Sequence, residues 1–130
     1  MKELIIWLSA ATAFGILEGI LFHYKNKFAT NFLNRFKFDI HIVFGLIRLI
    51  LFVPLVILTQ ERLIFILTAL FMFAFIHDGF YYTTRWILSK GKIYKKLFFD
   101  SSTTTTAILS LSAFWRLILF IFGLGMIFVL

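Results

Sequence analysis

The sequence predicts an all-α polytopic membrane protein: four transmembrane helices in an antiparallel bundle. Three observations lead there. The 130 residues are 62% hydrophobic with a mean hydropathy of +0.99, whereas soluble domains sit near roughly 45–50% apolar. The apolar residues gather into four long runs, and about 20 residues at 1.5 Å rise cross a hydrocarbon core of about 30 Å. The basic residues, meanwhile, collect in two short loops. Transmembrane strands would need runs about half as long with strict alternation. Helices also satisfy their own backbone where lipid cannot.

The first run, Leu4 to Tyr24, predicts a helix over 4–24. Ala11-Thr12-Ala13 imitates a signal-peptide cleavage site after the charged Lys2. The apolar stretch continues through Ile16, Leu17, Ile20, Leu21 and Phe22, and Glu3 cancels Lys2, so the run reads as a retained helix. Ala11, Gly15, Glu18 and Phe22 share one face, with Gly19 beside them. Small residues at that spacing permit close helix approach, so Glu18 is expected to face protein.

The second run predicts a helix over 38–58, with His41 and Arg48 seven apart on one face. The third predicts a helix over 63–84. Its polar stripe of His77, Asp78, Tyr81 and Arg85 recurs at helical spacings. The fourth predicts a helix over about 106–129, with Ser112 and Arg116 four apart and Gly123 and Gly125 suited to close packing. Asp100-Ser101-Ser102 and Thr103 to Thr106 supply oxygens for the amides that open this helix. The chain reads as a single domain over 1–130, without an internal repeat.

The loop after the first run holds Lys25, Lys27, Arg35 and Lys37; the loop after the third holds Arg85, Lys90, Lys92, Lys95 and Lys96. The other side offers only Lys2, Glu3 and the tight link Thr59-Gln60-Glu61-Arg62. Short basic loops stay in the cytoplasm, which predicts two non-cytoplasmic termini and a bacterial inner-membrane location. The net charge of +7 then reflects topology and anionic lipid headgroups at the cytoplasmic face, not nucleic acid. Phe28, Phe32, Phe36 and Phe38 interleave with the first basic loop, as a helix lying among headgroups or an ordinary amphipathic loop. Tyr81, Tyr82 and Trp86 suit one aromatic belt and Trp7 the other. Without cysteine, disulfides and thiolate metal sites are excluded.

Counting from the middle of each run places Glu18 about 6 Å to the cytoplasmic side of the midplane. His77 and Asp78 fall at about 6–8 Å, His41 at about 10 Å, and Arg48 and Arg116 within about 3 Å of the centre. Charge at such depth is costly, so these groups are expected to pair and to mark a site.

Two chemistries fit. In the first, Glu18, His41, His77 and Asp78 bind a divalent transition metal, Zn, Mn or Fe. Asp78 serves as fourth ligand or general base, and Arg48 and Arg116 stabilise negative charge on the substrate. Tyr81, Arg85 and Ser112 are then the expected substrate contacts. The function implied is a metal-dependent enzyme acting on a lipid or lipid-linked substrate. Neither HExxH nor Glu-x-x-His is present.

In the second, two carboxylates and two guanidiniums neutralise one another without metal. That set suits a small proton- or ion-coupled transporter or channel working as a homo-oligomer, with Glu18, His77 and Asp78 as coupling groups. One buried Glu in a short four-helix chain resembles the small multidrug-resistance exporters; the likeness stops there and assigns no family. A third possibility is haem held by His41 and His77, with the arginines on its propionates. A structural subunit or holin-like pore takes what is left. His23 reads as an interface residue.

Overall fold

The structure, a computed structural model, describes residues 1–28, 40–91 and 112–129. Four helices form among them: α1 (Lys2–Phe28), α2 (Ile40–Leu58), α3 (Arg62–Leu88) and α4 (Ala113–Ile127). Two stretches, Lys2–Tyr24 and Arg62–Leu88, are long and apolar enough to cross a membrane; the apolar parts of α2 and α4 are shorter.

The helix ends have local causes. α3 runs past its expected end and closes at Lys90, whose φ of 53° is left-handed. There Lys90 N–H donates to Ile87 O at 3.1 Å and Gly91 N–H to Trp86 O at 3.0 Å, the paired bonds of a Schellman closure. α4 opens at Ala113, later than the expected 106. Ser112 is extended, with ψ 156°, and its hydroxyl accepts from Trp115 N–H at 3.5 Å. The anticipated Asp100–Thr106 cap lies outside the described residues. With 15 residues, α4 is about 22 Å long.

α1 and α3 form the closest pair, and they run parallel. Trp7 Nε1 donates to Ala69 O at 3.3 Å, 62 residues along the chain, and Gly15 meets His77 and Gly19 meets Tyr81 at the same spacing. A Cβ at Gly15 would come within 2.5 Å of the His77 carbonyl, and one at Gly19 within 2.9 Å of Tyr81 O. Only glycine lets these two backbones touch.

α2 runs antiparallel to α1, setting Phe44 edge-on to Phe14 and Phe52 tilted against Trp7. α4 runs antiparallel to α3, setting Phe120 on Phe75 and Gly123 on Met72. Tyr81 and Met72, nine residues apart, stand about 180° apart on a helix, so α1 and α4 occupy opposite faces of α3.

Consecutive helices therefore alternate in direction, but they do not close a four-cornered bundle. Among the described residues α3 is central, α4 packs its backbone on α3 alone, and α2 lies across α1 and α3. Among the described residues α2 and α4 make no close backbone approach.

Apolar packing concentrates at the two ends. Leu4, Trp7, Leu55, Phe65 and Ala69 form one cluster; Tyr81 and Tyr82, with Phe22 and Trp86, form the other. Between them the interior holds charged and imidazole groups: Glu18, His77 and Arg116 are buried. Leu46, Ile50, Ile57, Phe114, Ile121 and Phe122 point outward.

Candidate functional site

The buried charges meet in one chain that draws on all four helices. It starts at Glu18, which the glycine contacts of α1 press against α3 until its side chain is 2% exposed. Arg48 reaches over from α2 and forms an ion pair with Glu18. The same guanidinium has Nη2 at 2.8 Å from His77 Nε2. Its charged plane lies over the rings of Phe14 and Phe73, at 5.9 and 5.3 Å from their centroids.

His77 is stacked on Phe73 at 4.9 Å with the rings 12° from parallel. Its Nδ1 is 3.1 Å from Asp78 Oδ1. The other Asp78 oxygen accepts from Arg116 Nη1 at 3.2 Å. Arg116 is 1% exposed, with its guanidinium 5.8 Å from the Tyr82 ring centroid. It was expected near the middle of a helix over 106–129. Because α4 opens at Ala113, Arg116 instead sits in its first turn.

Hydrogen-bond bookkeeping fixes the imidazole. A guanidinium only donates, so Nε2 accepts from Arg48 and the ring carries its proton on Nδ1, donating to Asp78. Glu18 Oε1 approaches that same Nε2 to 3.5 Å. One imidazole thus has a carboxylate on each of its two nitrogens. With this tautomer the chain Glu18–Arg48–His77–Asp78–Arg116 carries two negative and two positive charges and sums to zero. Neutrality with close pairing is what makes buried charge tolerable.

The geometry bears on the metal expectation. Glu18 and Asp78 lie against opposite edges of the His77 ring, so one ion bound to a single nitrogen meets one carboxylate, not both. Glu18 and His77 Nε2 converge, and Arg48 lies against both. Among the described residues no three metal-ligating side chains gather around a point. The side chain of His41, and with it the His41–His77 haem arrangement, lies outside what is described.

The remaining expected residues take other places. Arg85 Nη1 donates to the Tyr81 hydroxyl at 2.6 Å and lies over the Tyr81 and Phe22 rings. Tyr81 is also stacked parallel to His77, with centroids 6.4 Å apart. These two extend the polar line one turn beyond His77. Ser112 is an exposed helix cap. His23 sits edge-on to Tyr24.

Sequence reasoning missed Phe14 and Phe73, the aromatic walls around Arg48. The signal was available: each lies four residues before an ionisable partner, Glu18 and His77, and therefore on the same helix face.

Fold and site together define an all-α protein built around a buried, charge-balanced chain. No known family model, no curated protein and no solved structure matches it.

Proposed function

We propose that this is an integral membrane protein acting as a small proton- or ion-coupled transporter or channel. Glu18, His77 and Asp78 are its coupling groups, and several copies assemble to enclose the path. The observation that carries this reading is the imidazole with one carboxylate at each nitrogen. When Arg48 withdraws from Glu18 and Nε2, Glu18, now without its cation from α2, takes up a proton from the path; that proton passes to Nε2 while the Nδ1 proton passes to Asp78. One proton then moves from a 2% exposed carboxylate to a 31% exposed one, and the ring has exchanged tautomers.

The membrane setting is supported by outward Leu, Ile and Phe around buried Glu and Arg, which water would disfavour and lipid favours. The basic loops then lie in the cytoplasm. Assembly is supported by the arrangement of the described residues, in which α2 and α4 make no close backbone approach to each other.

The test is proton flux into liposomes that hold a trapped pH dye and a potassium-diffusion potential. Wild type acidifies the lumen; Glu18→Gln and His77→Gln lower the rate at least about tenfold, the scale of losing one proton-transfer group. Wild-type vesicles as tight as empty ones would remove the reading.

The approach of Glu18 Oε1 to His77 Nε2 also favours a second reading, the metal-dependent enzyme on a lipid or lipid-linked substrate. There His41, on the same face of α2 as Arg48, adds a ligand, and Arg48 and Arg116 meet the anionic headgroup. Elemental analysis separates the two: this reading requires one Zn, Mn or Fe per chain, lost in Glu18→Gln.

A further inference from the structure

α2 is attached differently from the other helices. α1 meets α3 backbone to backbone at Gly15 and Gly19. α4 meets α3 at Gly123, where a Cβ would lie 2.5 Å from Met72 Cγ. The glycine of α2, Gly45, has nothing within 4 Å of an added Cβ.

Packing along α2 changes after Ile50. Beyond it, Leu51 and Phe52 pack against the cluster with Trp7 and Phe65, Leu55 is buried in that cluster, and the hydroxyl of buried Thr59 donates to Leu55 O at 2.8 Å. In the stretch up to it, Ile42, Leu46, Leu49 and Ile50 are exposed. Among the described residues two side chains hold that stretch: Phe44, edge-on to Phe14 with centroids 6.1 Å apart, and Arg48. Proline has no N–H, so the Ile50 carbonyl lacks its helical partner and the ladder is weakest between the two halves.

We propose that the part of α2 up to Ile50 is the moving element of this protein, swinging about the Ile50–Pro54 turn, with Arg48 as its latch. Closed, the latch occupies His77 Nε2 and holds Glu18. Open, it leaves Nε2 facing Glu18, and the path from Glu18 to Asp78 is complete. Arg48 Nε is buried and has no acceptor among the described residues, so the closed state leaves a charged donor unmet. A latch with that deficit releases more readily than a fully satisfied one. Its consequence for flux rests on the transport reading; its geometry does not.

The chain has no cysteine, so introduced thiols are unambiguous. Spin labels at Leu17→Cys and Leu46→Cys, both exposed, report α2 against α1. Labels at Leu17→Cys and Ile87→Cys report the α1–α3 pair. With Arg48→Gln the 17–46 distance distribution broadens and moves outward while the 17–87 distribution stays. An unchanged 17–46 distribution, or equal movement of both pairs, overturns the proposal.

A second measurement keeps Arg48. Phe14→Cys and Phe44→Cys are joined by a reducible cross-linker and proton flux is read in liposomes. Flux falls at least tenfold when joined and returns on reduction; full flux in the joined protein overturns the latch. Vesicles without flux in any state, together with the spin-label shift, uphold the moving half-helix and remove the transport reading alone.

Discussion

Arg48 Nη2 lies 2.8 Å from His77 Nε2, the nitrogen that Glu18 approaches from α1 at 3.5 Å. Three helices therefore converge on one imidazole edge. The cation from α2 sits in the place where the sequence alone suggested a metal. Removing it leaves Glu18 buried opposite a ring nitrogen with no positive partner from α2. Arg48→Gln is expected to cost roughly 3 kcal/mol of unfolding free energy, the scale of breaking one buried pair. The double variant Glu18→Gln/Arg48→Gln recovers much of that, because no charge is left unmatched. Unfolding in mixed micelles measures both; a double variant worse than the sum of the singles would refute the pairing.

The Asp78–Arg116 pair makes a similar prediction for α4, whose backbone, among the described residues, packs on α3 alone. Asp78→Asn removes the carboxylate charge facing a guanidinium on a residue that is 1% exposed and destabilises by about 3 kcal/mol. Asp78→Leu/Arg116→Met replaces the pair with apolar groups and comes out near neutral, the known behaviour of such swaps. Tryptophan fluorescence at Trp115, three residues from the cap Ser112, reports detachment of α4. Equal stability of Asp78→Asn and wild type would mean that the 3.2 Å contact carries no energy.

Glycine substitutions separate the tight pair from the loose one. A methyl group at Gly15 or Gly19 meets α3 backbone at 2.5 and 2.9 Å, so α1 must lift away from α3. Gly15→Ala and Gly19→Ala are expected to destabilise by roughly 1–3 kcal/mol, the usual cost of overpacking. Gly45→Ala finds open space and gains up to about 1 kcal/mol through helix propensity. Denaturation curves for the three variants check this; destabilisation by Gly45→Ala equal to that by Gly15→Ala would contradict the packing.

Much of the site was legible because a charge inside an apolar run has few places to go. Glu18 beside Gly15 and Gly19 had to face a neighbour, and that neighbour is α3. Arg48, His77, Asp78 and Arg116 were each flagged from a different run or position, and all four join Glu18 in one chain. What the residues did not reveal was which groups touch. Depth follows from counting, but the side of His77 that each carboxylate meets depends on helix rotation by tens of degrees. The sequence places the start of α4 too early because Thr103 to Thr106 have cap chemistry with an apolar run behind them, whereas Ser112 is the cap observed. That seven-residue difference in the helix start carries Arg116 from mid-helix to the first turn.

The imidazole offers the most direct check on the arrangement. In wild type Nε2 accepts from Arg48 and Nδ1 carries the proton toward Asp78. Nitrogen NMR of ¹⁵N-histidine-labelled protein distinguishes the two tautomers. His23 and His41 can be assigned by substitution, leaving His77. The wild-type spectrum should show a protonated Nδ1 and a bare Nε2. Arg48→Gln deletes the fork that faces Nε2, and the nearest strong acceptor there becomes Glu18 Oε1 at 3.5 Å. The proton then moves to Nε2 in a sizeable fraction of molecules, and Asp78 loses its donor from the ring. Asp78→Asn has the opposite leverage: it weakens the hold on Nδ1–H while Arg48 still donates to Nε2, so Nδ1 stays protonated. A wild-type ring already protonated at Nε2 would place the Arg48 guanidinium elsewhere, and the charge-balanced chain would be broken at its centre.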